Sequence, residues 1–198
     1  MLPQRDLIIN QGGTFQRTFH WFAGTKRIAE LEQVTPGFPT IITVTGHGLP
    51  SGVVVPMSIE GVRGMPALNS KPCSAFDAEY VTDDTFKIPV NTLGREWKSP
   101  SGGATWFELS DLTDFTARMQ IRETLNSTET LAELTTENGG ITLSVADAGV
   151  QILITDTITA GFDFDYAVYD IELIGPAPDS IVYPFIGGNI ALQREVTR

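Results

Sequence analysis

Apolar and polar residues alternate over much of the chain between residues 105 and 198. The clearest run sets one apolar series against one polar series: Phe115, Ala117, Met119 and Ile121 against Thr116, Arg118, Gln120 and Arg122. A period of two with one apolar face is typical of a half-buried antiparallel strand. Similar runs begin at Ile141, Val150 and Ala167, and another lies near Ile190, with Gly-, Asn- and Pro-rich turns between them. The pattern therefore predicts a β-sandwich.

The N-terminal residues are predicted to belong to the same sandwich. Residues 6–9 and 14–22 are strand-like, and Gly12-Gly13 predicts a turn between them. The second segment carries aromatic residues on one face: Phe15, Phe19 and Trp21. Two strands alone are marginally stable and need more sheet to bury such a face. We expect that partner to be the sandwich that begins near Trp106.

A separate β unit is predicted in the middle of the chain, between the breaker-rich segments 36–39 and 99–103. Residues 33–104 hold five basic and six acidic residues, a net charge of −1, so the rest of the chain carries −10 of the total of −11. Insertions are best tolerated at loop tips. The predicted fold is therefore all-β: an antiparallel β-sandwich formed by 1–32 plus 105–198, with a small β-barrel inserted at 33–104.

Within the insertion, the strand-like segments are rich in β-branched and aromatic residues: 40–44, 53–55, 57–59, 76–81 and 85–88. Lys71-Pro72-Cys73 departs from alternation where a strand is expected. Because proline removes a ladder donor, this segment predicts an edge strand or a bulge.

The C-terminal half resembles a β-sandwich domain of tailed-bacteriophage virion proteins. The residues that carry the resemblance are strand and turn positions: Asp111-Leu112-Thr113, Phe115, Arg118, Leu134-Thr135-Thr136, Gly140-Ile141, Tyr169-Asp170-Ile171-Glu172 and Gly188…Glu195-Val196-Thr197-Arg198. The family implies a structural part of the tail, the baseplate or the head-to-tail region. The motifs are not catalytic ones, so the resemblance specifies no reaction.

The inserted segment resembles a small barrel module of phage tail proteins, similar to the barrel near the start of ubiquitin-activating enzymes. Three stretches carry this resemblance: Thr43-Val44-Thr45-Gly46-His47-Gly48-Leu49, Ile59-Glu60-Gly61-Val62-Arg63-Gly64-Met65 with Leu68-Asn69, and Asp83-Asp84-Thr85-Phe86-Lys87-Ile88. The likeness is one of fold and implies no ubiquitin chemistry, because a fold does not carry a function.

The composition limits the kinds of partner that we expect for the chain. With 13 basic against 24 acidic residues, the chain lacks the basic excess that binds phosphate backbones, so no nucleic acid partner is expected. The acidity is interpreted as a solubility feature, with complementarity to a basic neighbouring subunit as the alternative. No apolar run reaches membrane-spanning length. The N-terminus lacks a secretory pattern, and the single cysteine, Cys73, fits synthesis in a reducing cytoplasm.

Candidate catalytic groups are few. His20 alternates with aromatic residues and is expected on the solvent face of a strand, whereas His47 between two glycines is expected to bond to backbone in a turn. Cys73 is interpreted as a small hydrophobic residue rather than a nucleophile. We therefore expect no enzyme, no catalytic residue, no cofactor and no metal site. Four carboxylates have a spacing that favours a solvated face over a calcium site: Asp163, Asp165, Asp170 and Glu172.

The expected function is that of a virion structural protein, made in the bacterial host cytoplasm, in the tail, baseplate or fibre-attachment region. A head-to-tail connector or a capsid decoration protein is the alternative. The expected partners are other phage structural proteins and further copies of the chain in a symmetric homo-oligomer. The candidate interface lies in loops near 61–65 and 93–98 and at the C-terminus: Arg63, Met65, Arg95, Trp97 and Arg198. Trp97 is predicted either to anchor a partner or to pack on its own barrel.

A carbohydrate-binding module at a receptor-binding tip is a further alternative, because β-sandwiches bind sugars through exposed aromatic residues. The candidates are Trp21, Trp97, Trp106 and Tyr183. An enzyme ranks third, since no paired-carboxylate cleft can be placed on the sequence.

Overall fold

The computed structural model describes residues 3–71 and 74–195. Its fold is all-β, as predicted. The strands are β1 (Leu7–Asn10), β2 (Phe15–His20), β3 (Lys26–Glu30), β4 (Gln33–Thr35), β5 (Thr40–Thr43), β6 (Val54–Glu60), β7 (Phe76–Thr82), β8 (Thr85–Ile88), β9 (Gly103–Phe107), β10 (Thr116–Arg122), β11 (Ala132–Thr135), β12 (Ile141–Ser144), β13 (Gly149–Ile154), β14 (Tyr166–Ile174) and β15 (Val182–Gln193).

Helical structure is limited to two short segments within the described residues. A 3-10 turn spans Pro66–Leu68, and α1 spans Asp156–Ala160. No helix in this part of the chain is long and apolar enough to cross a membrane.

The chain divides into two compact units, Met1–Trp21 with Asp111–Arg198 and Phe22–Ser110. The sequence placed the two junctions near residues 32 and 104, whereas the structure places them after residues 21 and 110. The difference arises because β3 and β9, which the sequence assigned to the sandwich, pair with each other, and β9 also pairs with β6. Both strands therefore belong to the middle unit.

The discontinuous unit contains a five-stranded sheet in the order β1-β15-β14-β10-β11 and a three-stranded sheet in the order β12-β13-β2. Three hairpins supply most of these strands, namely β10-β11, β12-β13 and β14-β15, and all three are antiparallel. β1 differs from the expected antiparallel pattern because it pairs parallel to β15. The turn at Gly12 therefore carries the chain from one sheet to the other and does not form a hairpin.

The buried residues of this unit follow the predicted alternation. In β10 the apolar side chains Ala117, Met119 and Ile121 are buried, and the polar side chains between them are exposed or half-buried. Phe19 of β2 and Phe185 of β15 meet edge to face with ring centroids 6.5 Å apart, which links the two sheets. The Tyr169 hydroxyl donates to the Arg5 carbonyl at 2.5 Å and fastens the N-terminal segment.

The middle unit is a seven-stranded sheet in the order β3-β9-β6-β7-β8-β5-β4. Its first and last strands are consecutive in the chain, with Leu31 and Glu32 between them. The Leu31 amide donates to the Gly102 carbonyl at 3.0 Å, and the Glu32 amide donates to the Thr43 carbonyl at 3.1 Å. The segment 26–35 therefore joins both ends of the strand order and closes the sheet into a barrel.

The buried core of the barrel contains side chains from β4 to β9 and from loops, and Ala29 of β3 packs against it. The largest of its fully buried side chains are Phe86, Ile42, Met57, Ile59, Met65, Leu68 and Ile88. Trp106, which is 3% exposed, belongs to this core. Its indole Nε1 has no hydrogen-bond partner within residues 3–71 and 74–195.

Candidate interaction surface

Three loops meet at one end of the barrel, namely residues 36–39, 61–65 and 91–102, which we call the barrel platform. Residues 36–39 follow β4, residues 61–65 follow β6, and residues 91–102 precede β9. Because β6 and β9 run antiparallel with Glu60 opposite Gly103, the second and third loops emerge side by side. The structure thus brings together the two loops that the sequence singled out, near 61–65 and 93–98.

Backbone contacts hold the second and third loops against each other. The Lys98 amide donates to the Arg63 carbonyl at 3.0 Å, and the Arg63 amide donates to the Ser101 hydroxyl at 3.0 Å. Gly64 has a φ of +84°, and a Cβ atom there would lie 2.0 Å from the Glu96 carbonyl oxygen. Glycine is therefore required at this position by both conformation and space.

A buried threonine pair holds the first loop against the third. Thr40 and Thr92 are buried, and their hydroxyl oxygens lie 2.8 Å apart. The Thr92 amide donates to the Gly37 carbonyl at 2.9 Å, and the Thr40 hydroxyl donates to the Val90 carbonyl at 2.7 Å. Because these polar groups are satisfied inside the protein, the loops present a fixed outer surface.

That outer surface is partly apolar. Phe38 is 68% exposed and Leu93 is 66% exposed, and the hydrogen bonds between Gly37 and Thr92 place their two loops side by side. Sequence reasoning missed Phe38. Its signal is an aromatic residue placed between Gly37 and Pro39, where no strand can bury it. Exposed apolar patches mark interaction sites more often than scattered single residues do.

The platform is basic on a chain that is acidic overall. It contains Arg63, Arg95 and Lys98 against the single carboxylate of Glu96. Lys98 Nζ lies 2.9 Å from Glu96 Oε2, and the Arg63 guanidinium donates to the Pro100 carbonyl at 2.7 Å. Arg95 is exposed, and its side chain forms no hydrogen bond or ion pair with the described residues. It is thus the cation of the platform that is available to a partner.

The candidate interface residues fall into different environments. Arg63 and Arg95 are exposed, as an interface requires. The prediction that Met65 belongs to the interface is wrong. Met65 is 0% exposed and packs in the barrel core, where no partner can reach its side chain. Trp97 is half-buried against that core, and its indole Nε1 donates to the Ser101 carbonyl at 2.9 Å. It therefore packs on its own barrel. Arg198 lies outside the described residues.

The two histidines occupy structural positions. His47 is buried, its Nδ1 accepts from the Leu49 amide at 3.1 Å, and its Nε2 lies 2.8 Å from the Thr82 carbonyl, which fixes the tautomer protonated at Nε2. This is the backbone-bonded turn histidine that the sequence predicts. His20 is half-buried, with Nε2 3.3 Å from Asp147 Oδ2. Cys73 lies outside the described residues.

The four carboxylates compared with a calcium site do not gather into one group. Arg194 donates to Asp163 and to Asp165, at 3.1 Å in each case, and Arg118 pairs with Glu172 at 2.6 Å. Burial and the neighbouring Glu172 raise the pKa of Asp170. Among the described residues, no three His, Cys, Asp or Glu side chains gather into a group that would hold a metal.

The aromatic residues considered for sugar binding do not form an exposed sugar-binding surface. Trp106 is buried, and Trp21 packs against Phe115 and Tyr183 with ring centroids 5.5 Å away in each case. A hollow of about 380 Å³ lies instead on the outer face of the five-stranded sheet. Its lining includes Gln120, Arg122, Val168, Asp170, Gly187 and Asn189. Gly187 lies opposite Asp170 in the β14-β15 pair and adds no side chain to fill the space.

Comparison with known proteins gives no assignment: no protein-family model matches this chain, and no curated protein matches it.

Proposed function

We propose that this chain is a structural protein of a tailed-phage particle that acts by burying surface against neighbouring subunits in the tail, baseplate or fibre-attachment region. The observation that carries the proposal is the barrel platform, whose braced loops expose Phe38 and Leu93 beside the unpaired Arg95. The assignment to a tailed-phage particle rests on the resemblance of residues 105–198 and of the inserted barrel to phage proteins.

The construction of the platform suits binding. Loops that are already fixed by internal hydrogen bonds lose little conformational freedom when a partner docks, so more of the contact energy appears as affinity. Aromatic and Arg side chains are enriched where such contacts are strongest. The proposed partners are other phage structural proteins and further copies of the chain.

A head-to-tail connector or a capsid decoration protein would use the same surface, so position in the particle needs a separate measurement. Quantitative mass spectrometry of purified parent particles gives the copy number of the chain. A small multiple such as about six or twelve per particle supports a tail or junction position, as expected for a ring. Hundreds of copies would move the protein to the capsid surface, and its absence from particles would overturn the proposal.

A carbohydrate-binding receptor tip is a second candidate, favoured by the hollow on the five-stranded sheet, whose lining includes Gln120, Asp170 and Asn189. Sugar hydroxyls pair with planar polar side chains and carboxylates, and Asp170 is an exposed carboxylate that lines the hollow. A glycan array with the intact chain and with Asp170→Ala tests it, with Asp179→Ala as an exposed control. Binding lost in Asp170→Ala alone would favour the receptor tip; no binding by the intact chain would remove it.

A further inference from the structure

An acidic loop of the sandwich complements the barrel platform. Residues 123–131, which we call the acidic loop, connect β10 to β11 and contain Glu123 and Glu129 without any basic residue. Leu125 is 87% exposed and Leu131 is 43% exposed. The loop therefore presents two carboxylates and two apolar side chains, where the platform presents Arg95 with Phe38 and Leu93.

The acidic loop has a defined shape. The Thr124 amide donates to the Ser127 hydroxyl at 3.1 Å, and Arg122 Nη1 donates to the Ser127 carbonyl at 2.6 Å. The Leu131 amide donates to the Ile121 carbonyl at 2.8 Å. A hollow of about 240 Å³ opens on the loop between Glu123 and Glu129, which form no hydrogen bond or ion pair with the described residues.

We propose that the barrel platform docks on the acidic loop of a second copy of this chain, with Arg95 entering the hollow between Glu123 and Glu129. The inference rests on the proposed function, and it names the partner and the contact. A guanidinium between two carboxylates forms charge-assisted hydrogen bonds on both sides. The exposed leucines and Phe38 supply the apolar part of the contact.

The two surfaces are different, so the contact is head-to-tail. Such heterologous contacts close into rings when the rotation permits and otherwise extend as filaments. Within its own unit, each surface lies at the strand ends far from the junction. The platform precedes β9, which leads to Ser110, and the acidic loop follows β10, which begins just after Asp111. The named residues of both surfaces are exposed.

Charge reversal tests the contact. Sedimentation equilibrium of the purified full chain at low salt should show self-association that weakens as salt is raised. Arg95→Glu and Glu129→Arg should each weaken association by about tenfold or more, because each places like charges against each other. The double variant Arg95→Glu/Glu129→Arg should recover part of the association lost in either single variant, since one of the two pairs is re-formed with the charges exchanged while Glu123 still faces the introduced carboxylate.

Two matched reversals control for net charge. Lys26→Glu lies on the barrel away from the platform, and Asp179→Arg lies on an exposed loop of the sandwich. Both should leave association unchanged. Circular dichroism of every variant verifies folding before association is compared.

A chain that stays monomeric at about 100 μM, single reversals without effect, or a double variant that fails to recover would each overturn the head-to-tail contact. These outcomes are separate from the test of the proposed function. A chain that is present in particles but lacks this association remains a virion protein with a different contact. A chain that associates as described but is absent from particles keeps the contact and loses the virion assignment.

Discussion

In the barrel, the segment 26–35 lies at both ends of the strand order, whereas each sheet of the sandwich ends in strands that pair on one side, namely β1 and β11 in one sheet and β12 and β2 in the other. Sandwich edges in the described chain carry polar residues that discourage further pairing, such as Arg17 on β2 and Glu133 on β11. A closed barrel has no unpaired strand edge. Its loops are therefore the part of the barrel that is available for contacts.

Charge separates the two units as well. Residues 22–110 hold seven basic and nine acidic residues, whereas residues 1–21 and 111–198 together hold six basic and 15 acidic ones. The near-neutral barrel gathers three of its cations on the platform, while the sandwich has an excess of nine acidic over basic residues. The insertion therefore contributes a basic surface to a chain whose other unit is acidic.

Replacing a buried loop residue of the barrel should have the largest effect on stability. Met65→Ala should lower the free energy of unfolding by about 2–5 kcal/mol, because it leaves a cavity in the barrel core. Leu125→Ala in the acidic loop of the sandwich should change it by less than about 0.5 kcal/mol, since that side chain is 87% exposed. Urea unfolding followed by circular dichroism measures both. Equal effects would show that the platform is not built on the core.

Glycine replacement should distinguish the bracing of the two units. Gly139→Ala in the sandwich should lower the free energy of unfolding by about 1–2 kcal/mol, because φ is +76°. Nothing lies within 4 Å of the added Cβ, so only the backbone conformation contributes. Gly64→Ala in the platform should cost more, since the added Cβ also meets the Glu96 carbonyl oxygen at 2.0 Å. Urea unfolding of the two variants gives the comparison. A Gly64→Ala variant no less stable than Gly139→Ala would contradict the close loop packing.

Alkaline pH should act on the sandwich through Tyr169. Burial raises the pKa of Tyr169 to about 12. The folded state favours the neutral phenol, so this contribution to stability is complete below the unfolded pKa of about 10 and is lost as pH rises through about 12. Tyr169→Phe should cost about 1 kcal/mol at pH 8 and have a weaker alkaline dependence. Urea unfolding at pH 8 and pH 11 tests this, with the exposed Tyr166→Phe as control. Parallel pH profiles for the intact chain and Tyr169→Phe would refute it.

The smallest effect is expected at the barrel tryptophan whose indole has no partner. Trp106→Phe should lower stability by no more than about 1 kcal/mol, because the loss of apolar contact is offset by removal of a buried, unsatisfied N–H. Trp106→Ala should cost about 3–5 kcal/mol, since it loses the whole ring. Guanidinium unfolding followed by circular dichroism separates the two. A Trp106→Phe cost as large as that of Trp106→Ala would indicate a hydrogen bond at Nε1.

Much of the fold was predictable from local pattern. The alternation of Phe115–Ile121 and Ala167–Leu173 specified half-buried strands, and β10 and β14 have the buried faces expected. β7 and β8 begin at the predicted residues. The unit boundaries were misplaced because alternation cannot identify the partner of a strand: the pattern around Trp106 fits a sandwich strand and a barrel strand equally well.

The candidate surface was predictable in part. Glycine- and charge-rich loops at 61–65 and 93–98 marked where the barrel exposes its connections. Burial of Met65 was not readable from the sequence, because the residue lies in an irregular segment without periodicity. Exposure of Phe38 had a signal that was missed, namely its place between Gly37 and Pro39. Hydrogen bonds between residues far apart in the chain, such as Lys98 with Arg63 and Thr92 with Gly37, decide which side chains of these loops face outward.

The all-β class, the faces of the regular strands and the presence of a middle β unit follow from local sequence pattern, because side-chain alternation and turn residues act over a few neighbouring positions. Closure of the barrel by residues 26–35, the parallel pairing of β1 with β15 and the assembly of the platform were decided by the tertiary structure alone. Each of these features depends on backbone hydrogen bonds between distant segments, and such pairings follow from the packing of the whole unit rather than from local preference.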